Sequence, residues 1–294
     1  MVTRAPRVGG TGPDRPSGGA RVTVLIDNRL ARAGLEREHG LSLWVQTGTA
    51  NVVIDTGETA AFRRNAAALG VDLATADAVA LSHGHYDHTG GLPNVLHLKE
   101  HLPVYTHPAA LEPKYAMGPG TMSRDIGMPS RVKDLVEDRA ELRWIQGPTE
   151  VSDGLLLTGP IPRRTGYEDT GGPFFADASC RTPDGMPDDQ AAFLRTNRGV
   201  FVVLGCAHAG VINTLWYIRE LTGNAPFCVV MGGMHLVAAG RQRMDRTVEA
   251  LKELDIERIF PAHCTGPDAV ARLRREFPDR CFPFSAGTVL DIEG

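Results

Sequence analysis

No apolar run in the chain is long enough to cross a bilayer, and none follows a basic start as an export signal would. We therefore expect neither a membrane partner nor secretion. Cysteine is scarce. Cys180, Cys206, Cys228, Cys264 and Cys281 are odd in number, scattered and without a CxxC pair. A disulfide framework is not expected, and a cytoplasmic, reducing location is the default. Neither sign of charge dominates: 31 Lys and Arg stand against 35 Asp and Glu, for a formal net charge of -4. That balance offers no electrostatic case for nucleic acid or a membrane surface as partner. Bulky apolar side chains are almost missing from Met1 to Ala20, which is rich in Gly, Pro and Arg. Residues 1–20 are expected to form a disordered N-terminal tail, because burial cannot offset the entropy of ordering them.

What is present can build a core. In 294 residues, 42% are hydrophobic and 22% charged, enough for a sizeable globular domain over 21–294. Val22 to Ile26, Leu41 to Val45, Asn51 to Ile54, Ala78 to Leu81 and Pro103 to Thr106 read as strands, rich in β-branched residues and divided by polar or Gly breaks. Ala60 to Leu69 reads as a helix stopped by Gly70. Pro113, Gly118, Pro119, Gly120 and Pro129 break the stretch near 109–139, which reads as a loop-rich insertion. A second such region, near 159–189, suits an excursion over a binding cleft. Farther on, Val200 to Leu204, Phe227 to Met231 and Ile256 to Phe260 read as buried strands. Helices are expected from Val211 to Leu221 and from Gln242 to Leu254, where Met244, Val248 and Leu251 share one face. Strands flanked by helices in both halves suggest two sheets packed face to face with helices outside.

His83-Gly84-His85-Tyr86-Asp87-His88 follows the strand Ala78 to Leu81 directly. Alternate side chains of an extended segment point the same way, so His83 and His85 can grip one ion together. Asp87 and His88, where the chain turns, can face a second position beside it. Imidazole nitrogen and carboxylate oxygen suit Zn²⁺, and also Fe²⁺ or Mn²⁺. Three further apolar runs each lead through a small-residue turn to a histidine: His208, His235 and His263. One such histidine would more often be structural. Several at strand ends point to a shared rim and a centre of one or two divalent ions, with Zn²⁺ the first choice.

With these residues the chain resembles the metallo-β-lactamase superfamily. Its HxHxDH signature matches at His83, His85, Asp87 and His88, an Asp-Thr-Gly turn precedes it at Asp55-Thr56-Gly57, and later single histidines match at His208 and His263. The resemblance implies an α+β fold, the αββα metallo-β-lactamase-like sandwich. It also implies a first metal on His83, His85 and His208, and a second among Asp87, His88 and His263. Asp27-Asn28, Glu38-His39-Gly40, LSHGHYDHTGGL, TGPIPR, Asp188-Asp189-Gln190, GCAHAGVINTL, GGMHL and HCTG narrow the likeness, from about Val22 to Ile292. They are similar to the group named for 7,8-dihydropterin-6-yl-methyl-4-(β-D-ribofuranosyl)aminobenzene 5′-phosphate synthase. Most two-metal members of the superfamily place a bridging Asp after the strand that here ends at Met231; this chain has Gly232 and Gly233, with His235 two residues on. His235 is then a ligand or a general base, against a structural role.

The remaining candidates keep two readings each. Asp55 is expected to organise the metal loop by hydrogen bonds rather than to bind metal. His39 either approaches a substrate or sits in a surface turn. Arg163 either clamps a substrate phosphate or belongs to a surface ion-pair group with Arg164 and Glu168. Cys206 and Cys264 read as small buried residues beside the ligands. The leading function is hydrolysis, with metal-bound hydroxide attacking an ester, phosphoester, thioester or amide of a small molecule, and with Asp87 and His235 as catalytic residues. The first alternative is a transferase that joins a pterin methylene to an aromatic amine with release of diphosphate, as the group name implies. The second is a non-catalytic, metal-dependent binding protein. The expected partner is a small molecule, phosphorylated or pterin-like, and homo-oligomerisation stays open.

Overall fold

The computed structural model describes residues 19–118 and 122–293. Residues 1–18 of the expected tail, with Pro119 and Gly120 of the first insertion, lie outside these. The chain runs through β1 (Ala20–Ile26), β2 (Ser42–Thr47), β3 (Asn51–Ile54), α1 (Ala61–Ala68), β4 (Ala78–Ala80), the short α2 (Tyr86–Thr89) and α3 (Pro93–Leu96), and β5 (Leu102–Thr106). Next come β6 (Tyr115–Met117), β7 (Ser123–Asp125), α4 (Ser130–Arg139), β8 (Ala140–Trp144), β9 (Thr149–Ser152), β10 (Leu155–Leu157) and β11 (Phe174–Phe175). The last part holds β12 (Ala191–Thr196), β13 (Gly199–Leu204), α5 (Val211–Leu221), β14 (Phe227–Gly233), α6 (Arg241–Leu254), β15 (Arg258–Ala262), α7 (Pro267–Glu276) and β16 (Val289–Ile292). Among the described residues no helix is long and apolar enough to cross a membrane.

Parity along each strand decides which core a side chain joins. In β13, Phe201 and Val203 point to one side, where Val229 and Met231 of β14 meet Val45, Val52 and Ile54 of the other sheet. Val200, Val202 and Leu204 point to the opposite side and pack under Leu215 of α5, Leu251 of α6 and Leu273 of α7. Val53 of β3 and Val79 of β4 likewise face outward, onto Phe62 of α1 and Val132 and Val136 of α4. Each fully buried Val, Leu or Phe contributes roughly 1.5–3 kcal/mol. The order of layers is therefore helices, sheet, sheet, helices: the αββα sandwich.

The first sheet has strand order β16-β1-β2-β3-β4-β5-β8, and the second β15-β14-β13-β12-β10-β9. Strands β13, β14 and β15 run parallel, as do β3, β4, β5 and β8. Parallel strands bury both faces, which explains why Val200 to Leu204 and Phe227 to Met231 are apolar without alternation.

The stretch near 109–139 is less loop-like than its Gly and Pro content suggests. Pro129 stands just before α4, where a proline is tolerated, and Val132 and Val136 one turn apart bury into the core. Upstream, β6 and β7 pair antiparallel, and β11 from the region near 159–189 pairs with β6. The two insertions thus meet in a small third sheet, β11-β6-β7. That pairing joins segments far apart in the chain, so no local pattern announces it.

Candidate metal centre

Strand ends deliver the candidate ligand set. His83 follows β4 by way of Leu81 and Ser82, and His85 immediately precedes α2, whose first turn carries Asp87 and His88. His208, His235 and His263 follow β13, β14 and β15, whose parallel course puts their C-terminal ends on one edge. Four non-glycine residues here adopt the left-handed conformation: Asp55 (φ 54°), Ala207 (φ 55°), His235 (φ 43°) and His263 (φ 47°). Such backbone costs of order 1–3 kcal/mol per residue, and it turns each strand end sharply into the rim.

His83, His85 and His208 form the first group, with one donor atom from each lying within 4.8 Å of the others. His83 Nε2 is 3.0 Å from His85 Nδ1. His208 donates from Nδ1 to the Thr170 carbonyl at 2.8 Å, which leaves the lone pair on Nε2; that atom is buried and has no hydrogen-bond partner. Burial, then the crowding of neighbouring imidazoles, pushes His83 and His208 well below the usual histidine range. Burial likewise lowers His85 to about 3. Neutral imidazoles, with unpartnered buried nitrogens on His85 and His208, fit a divalent cation.

Asp87, His88 and His263 form the second group. Asp87 Oδ2 is 3.2 Å from His263 Nε2 and 3.7 Å from His88 Nε2, and the two imidazole nitrogens are 3.3 Å apart. His39 joins them, with Nε2 3.3 Å from the same Asp87 oxygen. Burial opposes charge on Asp87, but His88 and His263 outweigh it and hold the carboxyl below the usual carboxylate range. Burial also opposes charge on His88, where the carboxylates of Asp55 and Asp87 win and raise the pKa to about 9.

One carboxylate orients both groups. Asp55 Oδ2 accepts from His88 Nδ1 at 2.6 Å and from the Ser82 hydroxyl at 2.6 Å, and that hydroxyl accepts from His83 Nδ1 at 2.9 Å. Asn28 Oδ1 accepts from His263 Nδ1 at 2.9 Å, and Asp27 accepts from the His263 backbone at 2.8 Å. His83, His88, His208 and His263 are therefore all anchored through Nδ1 and present Nε2. Fixing the tautomer in this way is what a metal-ligating histidine requires. The two groups open onto a cleft of about 380 Å³ whose lining includes Tyr86, Arg124, Ile126, Phe174 and His235.

The sequence pattern of the metallo-beta-lactamase superfamily matches residues 35–263. The chain belongs to that superfamily. Two curated relatives come from Methanocaldococcus jannaschii. One is an uncharacterised protein, 29% identical over 86% of this chain and 93% of its own length. The other is a 7,8-dihydropterin-6-methyl-4-(beta-D-ribofuranosyl)-aminobenzene-5'-phosphate synthase, 27% identical over 86% of this chain and 90% of its own. A crystal structure of a metal-dependent hydrolase of the beta-lactamase superfamily aligns with TM-score 0.81 and 33% identity, covering 94% of this chain and 100% of that one.

Within this metallo-beta-lactamase fold, Arg163 points to the backbone beside the cleft rather than into it. Its guanidinium donates to the His208 carbonyl at 2.7 Å, and Arg163 is absent from the cleft lining. It braces the turn that carries the ligand. Its neighbour Arg164 pairs with Glu220, while Glu168 is buried against the start of α5 and accepts from the backbone of Ile212 and Asn213 at 2.9 and 2.8 Å. The expected surface ion-pair group of Arg163, Arg164 and Glu168 therefore does not form.

His39 lies at the cleft mouth, half-exposed, and reaches the second group as a donor rather than standing in a detached turn. His235 lines the cleft with its ring 4.3 Å from that of His208, and its Nδ1 has no hydrogen-bond partner. Burial works against charge on His235, but the adjacent Cys264 outweighs it and moves the pKa up.

The site also rests on supporting residues, of which Lys114 and Asp184 had no signal in the sequence. Lys114, from a Pro- and Gly-rich stretch, is buried and bonds Asp184 at 3.0 Å and Asp188 at 2.8 Å. Asp188 in turn accepts from the Gly84 backbone at 2.7 Å, which pins the turn between His83 and His85. A side chain at Gly84 would strike the Ala110 carbonyl at 2.1 Å, so the turn can pack there only as glycine. Asp189 accepts from the Ala209 backbone at 2.8 Å beside His208, and burial raises its pKa to about 7. The run Asp188-Asp189-Gln190 was visible, but its purpose depends on contacts more than a hundred residues away.

Proposed function

We propose that the chain is a metal-dependent hydrolase of a small molecule, cleaving an ester, phosphoester, thioester or amide. The observation that carries the reading is the set of Nδ1-anchored imidazoles whose free nitrogens converge at the floor of one cleft. His83, His85 and His208 would hold one divalent ion, and Asp87, His88 and His263, with His39 at the mouth, a second. Zn²⁺ is the first choice for these donors, with Fe²⁺ or Mn²⁺ as alternatives. A bound divalent ion supplies Lewis acidity and makes a coordinated water acidic near neutral pH.

The protein's own groups do the rest. Asp87 faces the cleft and orients a nucleophile through its carboxylate, while the unpartnered His235 Nδ1 holds or delivers a proton to the leaving group. Tyr86, Ile126 and Phe174 wall the cleft and exclude water around the scissile bond. Arg124, whose guanidinium lies 4.9 Å from the centre of the Tyr86 ring, gives the rim positive charge toward an anionic substrate. The relative solved as a metal-dependent hydrolase supports this reading.

A second reading is favoured by the relative named as a pterin-linked synthase and by the aromatic walls at Tyr86 and Phe174, which suit a flat ring. There the same donors would grip a diphosphate leaving group while an aromatic amine attacks a pterin methylene. Metal analysis of the purified protein, joined to a screen over phosphodiesters, lactones, thioesters and pterin diphosphates, separates the two. Turnover without any amine supports hydrolysis. Diphosphate release that requires both pterin and amine supports transfer, and full activity in a protein stripped of metal would overturn both.

A further inference from the structure

Cys206 follows Gly205 just past the end of β13 and is 2% exposed. An ordinary buried cysteine packs against apolar neighbours, but here Sγ lies 3.1 Å from His88 Nε2, the same nitrogen that faces His263. The sulfur belongs to three donor groups, each within 4.8 Å: with His83 and His88, with His208 and His235, and with His263 and Cys264. No other cysteine among the described residues belongs to more than one such group. It therefore stands between the first set of ligands and the second.

The charge balance points the same way. Asp87 is the only carboxylate in these donor groups, and the remaining nitrogen donors are imidazoles. Two divalent cations held in neighbouring donor groups would repel strongly unless an anion lay between them. The end of β14 cannot supply one. A side chain at Gly233 would lie 2.4 Å from the Gly205 carbonyl and 2.6 Å from Cys264 Sγ. The sulfur of Cys206 already lies within reach of imidazoles from both donor sets.

We propose that Cys206 is a metal ligand whose thiolate is shared between the His83–His85–His208 ion and the Asp87–His88–His263 ion. This rests on the metal-dependent reading above and goes beyond it. The sulfur–metal bonds form as the thiol proton leaves to solvent, so loading releases a proton at this position. Under this assignment Cys206 does more than pack beside the ligands. A thiolate also narrows the metal, since soft sulfur favours Zn²⁺ or Fe²⁺ over Mn²⁺.

The test is spectroscopic and needs no substrate. X-ray absorption on the full-length Zn²⁺ form is expected to show a sulfur neighbour at about 2.3 Å, and the Co²⁺ form a thiolate charge-transfer band in the near ultraviolet. Cys206→Ser should lose both signals and bind the second equivalent of metal at least about tenfold more weakly, while Cys264→Ser keeps them. A metal-loaded wild type with only nitrogen and oxygen neighbours overturns the assignment and leaves the metal-dependent reading standing. Signals that vanish in Cys264→Ser and persist in Cys206→Ser overturn it equally. A wild type that takes up no metal overturns both, whereas a sulfur-ligated protein that hydrolyses nothing supports Cys206 and counts against the hydrolase.

Discussion

Asp55 shows how much one side chain can determine. Its carboxylate reaches His88 directly and His83 through the Ser82 hydroxyl, and it also accepts from the Ser82 backbone at 2.7 Å. Histidines from both metal groups therefore depend on a single residue held in the left-handed conformation. Asp55→Asn, with one acceptor oxygen, can keep either the two bonds to Oδ2 or the one to Oδ1, but cannot accept all three. It should weaken metal binding by roughly 10–100-fold while far-ultraviolet dichroism stays unchanged, as a metal titration followed by dichroism would show. Unaltered affinity would mean that Asp55 only shapes the loop. The Asp-Thr-Gly turn marked this residue in the sequence; its two routes to the histidines appear only when β3 and β4 lie side by side.

Among the elements, α5 was readable and its cap was not. Val211, Ile212, Leu215 and Ile218 recur at helical spacing and bury on one face, so the expected bounds coincide with those observed. The capping carboxylate arrives from the irregular region before it: Glu168 accepts from the first backbone donors of α5 and from the Thr165 hydroxyl at 2.9 Å. Burial raises the Glu168 pKa above its ordinary 4.5, against the pull of those donors. The folded state therefore holds the proton more tightly than the unfolded chain, and stability linked to Glu168 falls as pH rises from about 4.5 through the raised value. Urea unfolding over a pH series should show wild type losing stability relative to Glu168→Gln across that window. A difference independent of pH would contradict the assignment. Helix α4 escaped the sequence reading for the opposite reason, because the breakers around it masked a short apolar stripe.

At the scale of the molecule, the cleft exists because two sheets end on one rim and two insertions close over it. Sheet packing supplies the floor, while the β11–β6 pairing brings Phe174 over the histidines, its ring 5.3 Å from His85 and 5.1 Å from His208. Because the candidate ligands come from both sheets, a bound metal would clamp across the sandwich. An ion at a hundred times its dissociation constant adds about 2.7 kcal/mol to the folded state. Stripping it with a chelator should lower the melting temperature by roughly 5–10 °C, and restoring metal should recover it. Calorimetry that finds the same melting point in stripped and loaded protein would show that the centre does not tie the sheets together.

The sequence alone determined the layer architecture and named the candidate ligands, because strand parity, helical spacing and the density of histidine at strand ends are local properties. His83, His85, Asp87 and His88 could be read from six consecutive positions, and His208 and His263 from the apolar runs that precede them. Tertiary structure decided what those residues face. It bound Arg163 to the His208 carbonyl, drew His39 to Asp87, buried Lys114 beneath the His83–His85 turn and set the Cys206 sulfur between two groups of imidazoles. Each of these outcomes depends on contacts between segments far apart in the chain. Spacing along a sequence carries no record of such distances; packing two sheets against each other creates them.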